Sequence, residues 1–313
     1  MLKPKPAHPR RFWADVSDDN LIDLDLEIDN PERLEGLVTE IPIDGPEPYV
    51  EFKYDLRGTE IEEFTCVHGH HRHKAGFVMR SGDARFMVGW ICGKTIYDED
   101  FDQYTADFEE AVIRQDALRR VRDMSTAMKA FAAWVDDLSQ SAAIKYFGKL
   151  RGTLNHQMPW IYDNLPALAE MDERVTKARL PKYLCAQVTD VRDDCNKLMI
   201  ETSAAMSLLI GDAQKVAGVI GGIRARADGL ARRADIILQK LADIELFFQP
   251  ASLATICDHA NKYDNPKRRR YQAGLLSLAC RGIDKASIEL PRDFTMPSRG
   301  PIEALRLALT KTI

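Results

Sequence analysis

The sequence has few of the features that direct a chain into a membrane or out of the cell. No apolar run approaches the ~18 uncharged residues that a membrane-spanning helix needs. The longest run, at 204–210, is followed by Asp212 and Lys215. The first six residues include two lysines and two prolines, and they contain no apolar core of a signal peptide. We therefore predict a cytoplasmic protein that does not enter a membrane.

The sequence also lacks the motifs of several common enzyme classes. The glycine-rich segment 218–222 has no Lys-Ser or Lys-Thr after it and no strand pattern before it, so it is not a phosphate-binding loop. No nucleophile elbow of the Gly-x-Ser-x-Gly type occurs. These absences disfavour nucleotide-dependent enzymes and serine hydrolases.

Cysteine is scarce, with six residues in 313, and without an export signal we expect these thiols to be reduced. Cys185, Cys195, Cys257 and Cys280 are far apart and lie in helical patterns, where a free cysteine behaves as a small buried hydrophobic residue. The other two cysteines have unusual neighbours.

Four of the seven histidines lie within six positions, just after Cys66, and eighteen residues separate this segment from Cys92. Zn²⁺ takes four nitrogen or sulfur ligands, and ligands separated by one to four residues can chelate from one tight turn. The sequence predicts one Zn²⁺ held by Cys66, Cys92 and two of the four histidines, without choosing among them. These histidines are His68, His70, His71 and His73.

Residues 66–104 resemble a treble-clef zinc finger: a ligand turn, a β-hairpin at 76–89, then a ligand where a helix begins. Cys92, Gly93 and Lys94 look like the second half of a zinc knuckle. Gly89 stands where such a knuckle usually has its first cysteine, so histidines must complete the ligand set. The resemblance implies a structural zinc.

Three alternatives to a structural zinc stay open. A catalytic zinc would keep water as its fourth ligand, with Glu62 or Glu63 as the base. A metal-dependent nuclease would use His70 or His71 as general base, although the following segment 98–102 supplies carboxylates and no histidine. In the third alternative the histidines are exposed, the thiols are buried, and no metal binds.

The hydrophobic periodicity predicts an α+β fold that is mainly α-helical. Alternation at 49–54 and the hairpin pattern indicate strands, whereas helical stripes follow from residue 108. We predict a small zinc-stabilised, treble-clef-like module followed by a long, coiled-coil-like helical body. The predicted domains are a flexible basic arm at 1–12, the acidic module at 13–104, the long helices at 105–249 and a helical C-terminal domain at 250–313.

The longest stripe keeps a seven-residue frame from Val188 to Ile244. A single helix over 182–248 would be about 100 Å long, which implies a coiled-coil hairpin or an oligomer. Five glycines between 211 and 229 favour a break, so two antiparallel helices are the alternative. We expect self-association or a protein partner through these helices.

Charge is distributed unevenly around a net value of −5. Residues 15–63 contain 17 acidic and three basic residues, whereas residues from 258 onward contain 11 basic and six acidic ones. Four consecutive cations follow Asn265-Pro266, a pair typical of a helix start: Lys267, Arg268, Arg269 and Arg270. Cations in a first helical turn oppose the helix dipole, so we expect them to bind nucleic-acid phosphates or to dock on the acidic 15–63 segment.

Together these features favour a non-enzymatic, zinc-binding assembly or partner-binding protein that contacts nucleic acid through the C-terminal basic segment. The alternative is a metal-dependent hydrolase or nuclease centred on the segment His68–His73.

Overall fold

The structure is a computed structural model that describes residues 11–42, 45–60, 63–68, 71–176, 178–186, 190–210, 213–264, 269–282 and 285–310. It is an α+β protein in which helices predominate, as the sequence predicted. The chain divides into two compact units, Met1–Arg120 and Val121–Ile313, and the division falls within the helix Glu99–Gln140. No helix in the described ranges combines the length and apolar character that crossing a bilayer requires.

The N-terminal unit is built on a small antiparallel sheet. Its elements in chain order are the 3-10 helix Trp13–Asp15, α1 (Asp18–Leu21), the 3-10 helix Pro31–Arg33, β1 (Tyr49–Asp55), β2 (Phe64–Thr65), β3 (Arg72–His73), β4 (Ala75–Ser81), β5 (Ala84–Val88), α2 (Trp90–Tyr97) and the first part of α3 (Glu99–Gln140). The sheet order is β1-β4-β5, and β2 pairs with β3 separately. The predicted strand at 49–54 and the β4–β5 hairpin are confirmed. Gly82 occupies the hairpin turn with φ +63°, a conformation that favours glycine.

The acidic segment before β1, to which the sequence assigned no structure, covers both edges of this sheet. On the β1 edge, the Lys53 amide donates to Leu26 O at 2.9 Å, and the Ile28 amide donates to Lys53 O at 3.0 Å. On the β5 edge, the Val38 amide donates to Arg85 O at 2.7 Å. Covering exposed strand edges satisfies their backbone groups and blocks pairing with other chains.

The C-terminal unit is mainly helical. It contains the rest of α3, α4 (Ala142–Gln157), α5 (Pro159–Ala169), α6 (Glu173–Thr176), α7 (Val191–Ser207), α8 (Ala213–Phe247), α9 (Pro250–Tyr263), β6 (Arg269–Ala273), β7 (Ser277–Gly282), β8 (Ala286–Glu289) and α10 (Gly300–Thr310). One large apolar cluster fills this unit, and helices and the β6-β7-β8 sheet all contribute to it.

Residues 182–248 do not form one continuous helix, and the alternative of two antiparallel helices is confirmed. Helix α7 ends at Ser207, α8 begins at Ala213, and Val188 and Asp212 of the predicted frame lie outside the described residues. The helices run antiparallel, because Asp194 near the start of α7 pairs with Lys240 near the end of α8 at 2.6 Å. Folding back lets both stripes enter one core, which a straight helix could not do.

The heptad-like residues are therefore core residues of a single unit. The buried members are Val191, Cys195, Leu198, Thr202, Ala205, Ile223, Leu230, Ile237 and Ile244. Two cations that interrupt the stripe pair across the hairpin, Arg233 with Glu201 and Lys240 with Asp194. The stripe accordingly gives no support to an intermolecular coiled coil.

The predicted basic helix after Pro266 is also wrong. Lys267 and Arg268 lie outside the described residues, and Arg269 and Arg270 belong to strand β6. Alternation places Tyr271 and the β7 residues Leu278 and Cys280 on the buried face, a period-two pattern that outweighs the helix-start signal of Asn265-Pro266. Strand β8 contains the buried Ile288, and helix α10 is the last element that the structure describes.

Candidate functional site

The β2–β3 hairpin and the start of α2 bring the two singled-out cysteines together. The Cys66 amide donates to His71 O at 2.8 Å, which closes the loop between the two short strands. The Val67 amide donates to Met87 O at 3.2 Å and ties this loop to β5. Cys92 lies in the first turn of α2, directly after β5, so the main sheet positions both cysteines.

Cys66 and Cys92 are both buried, 1% and 5% exposed. The thiol of Cys92 interacts with Cys66 and lies 3.7 Å from His68 O, to which it donates. Burial and the neighbouring Cys66 raise the pKa of Cys92 to about 11. In the absence of a competing cation, Cys92 therefore stays protonated at neutral pH.

Among the described histidines of the cluster, His73 is partly buried, whereas His68 and His71 are exposed. The Nδ1 of His73 lies 3.0 Å from the Tyr54 hydroxyl, and its Nε2 is buried without a hydrogen-bond partner among the described residues. Burial lowers the pKa of His73, against the opposing effect of Glu63. Burial also raises the pKa of Tyr54, so its hydroxyl stays protonated. In the tautomer that carries its proton on Nδ1, this N–H donates a hydrogen bond to the Tyr54 hydroxyl oxygen. Nε2 is then unprotonated and has a free lone pair.

Sequence reasoning missed Tyr54. This residue is buried on β1, and a Cβ at Gly76 on the paired strand would lie 2.8 Å from its hydroxyl oxygen. Glycine at 76 leaves space for the tyrosine that orients His73. The signal in the sequence was the inward position of Tyr54 in the alternating run 49–54, but its pairing with Gly76 required the strand register.

The remaining sequence candidates are not gathered around the thiols. His68 and His71 are exposed, and His70 lies outside the described residues. Within the ranges that the structure describes, no three His, Cys, Asp or Glu side chains form a group that could hold a metal ion. The structure thus places a thiol pair and an inward histidine in this region without a complete ligand set.

The candidate bases of the catalytic alternatives are described only in part. Glu63 and His71 are exposed, whereas Glu62 and His70 lie outside the described residues. In the acidic segment after α2, Asp102 forms a 3.0 Å ion pair with Lys94, and both side chains are about half exposed.

The two described cations of the basic segment, Arg269 and Arg270, differ in burial and in their partners. Arg269 forms a 4.0 Å ion pair with Asp264, and both side chains are largely buried. Arg270 is exposed and pairs in register with Arg281 on β7. Because Arg270 lies on a strand, the helix-dipole argument no longer applies to it. Like charges directly opposite on a sheet destabilise it, unless an anion lies between them.

Comparison with known proteins found no matching family model, no similar curated protein and no similar solved structure.

Proposed function

We propose that the N-terminal unit is a structural zinc-binding module within a non-enzymatic, partner-binding protein. The observation that carries this proposal is the buried pair of thiols, Cys66 and Cys92, contributed by a loop and a helix that are far apart in sequence. Zn²⁺ binds thiolates strongly and releases their protons, so a converging thiol pair is half of a zinc site.

The other ligands would come from the 68–73 segment. His73 offers a buried Nε2 that has no partner in the part of the chain that the structure describes, and a buried polar atom without a hydrogen bond is unfavourable unless another ligand satisfies it. Of the other described histidines, His68 contacts the thiol pair, because its backbone oxygen accepts from the Cys92 thiol. A tetrahedral set needs one further nitrogen ligand from the 68–73 segment in addition to His73.

A structural role fits these residues better than a catalytic one. A catalytic zinc keeps an open coordination position beside a general base. Both thiols are buried, and the candidate bases that lie within the described residues, Glu63 and His71, are exposed. Binding at such a site would stabilise the fold directly, because unfolding would release the metal.

The test is zinc content and thermal stability of the full chain, purified with zinc present and without a histidine tag. We expect close to one equivalent of zinc per chain, and its removal by chelator should lower the melting temperature. The double variant Cys66→Ala/Cys92→Ala should lose the metal. Cys195→Ala/Cys257→Ala removes two buried thiols of the C-terminal unit and should keep it. Full zinc occupancy in Cys66→Ala/Cys92→Ala, or no zinc in the unmodified chain, would refute the proposal.

A second candidate function, binding of nucleic-acid phosphates, is favoured by the facing pair Arg270 and Arg281. Both are exposed, and neither forms an ion pair within the part of the chain that the structure describes. A phosphate between them would relieve their repulsion. Each phosphate contact contributes about one counterion to the salt dependence of binding.

This candidate predicts weak, salt-dependent binding of duplex DNA or RNA by the full chain. Arg270→Ala/Arg281→Ala should reduce the slope of log affinity against log salt by roughly two. Lys145→Ala/Lys149→Ala removes the same charge from exposed positions of α4 and should leave the slope nearer its original value. Equal slopes for the two double variants would refute a role for Arg270 and Arg281 in binding nucleic-acid phosphates.

A further inference from the structure

The N-terminal unit contains a cavity of about 510 Å³ between the segment 12–26 and the start of β1. Its walls combine two kinds of side chain. Four are aromatic, namely Phe12, Trp13, Tyr49 and Phe52, and four are acidic, namely Asp19, Asp23, Asp25 and Glu51. The zinc proposal uses none of these residues.

The aromatic wall is held in a fixed arrangement. Phe12 stacks on Tyr49 with 3.6 Å between ring centroids and 10° between ring planes. Trp13 meets Tyr49 edge-on at 6.3 Å. The Trp13 indole donates to Val50 O, and its amide donates to the Asp107 carboxylate, each at 2.8 Å. Side chains anchored in this way need little ordering when a ligand arrives, which favours binding.

The charge that faces this cavity is negative. Glu51 is compensated by Arg80 at 2.9 Å and by Arg85 at 2.8 Å. The three aspartates are exposed, and Asp19 and Asp25 form no ion pair within the described residues. None of the described residues lining the cavity is a lysine or arginine. A cation in the cavity would reduce the repulsion among these carboxylates.

Helix α3 fixes the acidic segment from its other side. The Gln115 amide donates to Leu24 O at 2.8 Å, and Arg119 donates to Ile22 O and Leu24 O at 3.0 and 2.9 Å. The guanidinium of Arg119 is thus engaged with backbone carbonyls rather than with the aspartates of the cavity. The aromatic wall and the backbone that carries the acidic wall are therefore positioned before any ligand binds.

We propose that this cavity binds an alkylammonium cation. Aromatic faces attract cations through their quadrupole, and carboxylates add a direct attraction, the combination that recognises quaternary ammonium groups. An inorganic divalent cation prefers a shell of oxygen ligands, which an aromatic wall cannot supply. The cation can belong to a free small molecule or to a lysine side chain, so both sources enter the test.

The first measurement compares choline with 3,3-dimethylbutan-1-ol, a neutral molecule of nearly the same shape, by calorimetric titration of the full chain. We expect choline to bind at least tenfold more tightly than the neutral analogue. The blocked amino acid Nα-acetyl-Nε-trimethyllysine amide tests the side-chain source. Tighter binding of choline assigns the cavity to a free amine, and tighter binding of the blocked lysine assigns it to a partner protein. Equal affinity for choline and the alcohol, or no binding of either cation at millimolar concentration, would overturn the proposal.

Variants locate the binding to this cavity. Asp19→Asn/Asp25→Asn should weaken binding of the preferred cation about tenfold or more, and Phe12→Leu should also weaken it. Asp136→Asn/Asp137→Asn makes the same charge change at exposed positions of α3 and should leave the affinity within twofold. If both double variants weaken binding equally, the cation binds to the net charge of the chain and the cavity is not its site. Circular dichroism of each variant confirms that it remains folded.

Discussion

The two units of this chain are stabilised in different ways. In the C-terminal unit, one continuous apolar cluster joins helices and the β6-β7-β8 sheet. In the N-terminal unit, side chains also bind backbone carbonyls of the acidic segment that precedes β1. Arg85 of the sheet donates to Glu35 O, and Gln115 and Arg119 of α3 donate to Leu24 O. The candidate zinc site and the proposed cation-binding cavity both lie in this unit.

The N-terminal unit also has an apolar core, in which Tyr54, Phe86, Phe101 and Phe108 are almost fully buried. Most of the chain's buried apolar residues nevertheless belong to the C-terminal unit. In the N-terminal unit, polar side chains additionally hold the irregular segment before β1 in place. We therefore expect perturbations of apolar packing to matter most in the C-terminal unit, and perturbations of polar tethers and metal to matter most in the N-terminal unit.

The largest expected effect is the loss of packing in the C-terminal unit. Phe247 on α8 is fully buried and packs edge-on against Phe248 at 5.1 Å. Phe247→Ala should lower the free energy of unfolding by about 3–5 kcal/mol, because it removes a large apolar side chain and leaves a cavity.

Urea denaturation followed by far-UV circular dichroism measures the effect of Phe247→Ala. Leu307→Ala on α10 is the control, since Leu307 is 58% exposed and its loss should cost less than about 0.5 kcal/mol. A similar cost for both variants would mean that the cluster does not dominate the stability of this unit.

The second-largest expected effect is on the pH dependence of stability, and it comes from a carboxyl group buried in that same unit. Asp243 on α8 accepts hydrogen bonds from the amides of Tyr183 and Leu184. Burial raises its pKa to about 6, against the lowering effects of hydrogen bonds from the Tyr183, Leu184 and Lys182 amides and of Arg179. The folded chain therefore binds the proton more tightly than the unfolded chain, so this group makes the protein less stable as pH rises from about 4 to about 6.

Asp243→Asn should remove this pH dependence. A shift from the ordinary value of 3.8 to about 6 corresponds to on the order of 3 kcal/mol. The stability of the variant relative to the unmodified protein should rise by that amount between pH 4 and pH 7, as measured by urea denaturation at each pH. A relative stability that is constant over this range would show that Asp243 titrates normally in the folded protein.

The sequence predicted the parts of the fold that depend on local pattern. The hydrophobic stripe of α3 and the alternation of β1, β4 and β5 are strong periodic signals, and both are confirmed. The stripe of α7 and α8 was equally clear, but periodicity does not tell whether a stripe packs on its own chain or on another. The pairing of Asp194 with Lys240 decides this, and it depends on a fold-back of the chain between Ser207 and Ala213.

The candidate site was predictable to a similar extent. Residue type and spacing singled out Cys66 and Cys92, and the structure places them together. Tyr54 and the orientation of His73 depend on strand register, which spacing alone does not give. The helix predicted for the basic segment was wrong for another reason. The Asn-Pro pair indicated a helix start, and the alternation of β6 was the weaker local pattern. Strand β6 is stabilised by pairing with β7 and by the Asn261 side chain, which donates to Tyr271 O and accepts from the Tyr271 amide, each at 2.8 Å.

The smallest expected effect tests the polar tethers of the N-terminal unit. Gln115 is 3% exposed, and its amide donates to Leu21 O and Leu24 O. Leu24 O also accepts from Arg119, and Leu21 O also accepts from the Leu24 amide at 3.3 Å, so Gln115→Ala removes one donor from each carbonyl and leaves neither unpaired. Loss of an ordinary hydrogen bond costs about 0.5–1.5 kcal/mol.

Gln140→Ala is the matched control, because Gln140 is an exposed glutamine at the end of the same helix and the helix propensity changes equally. Hydrogen exchange of the amides in 17–28 should increase in Gln115→Ala and stay unchanged in Gln140→Ala. Gln115→Ala should also weaken choline binding if the cavity forms only when α3 holds the acidic segment in place. Unchanged exchange in Gln115→Ala would mean that the apolar contacts of Leu21 and Leu26 hold this segment, and that the two units are stabilised in the same way after all.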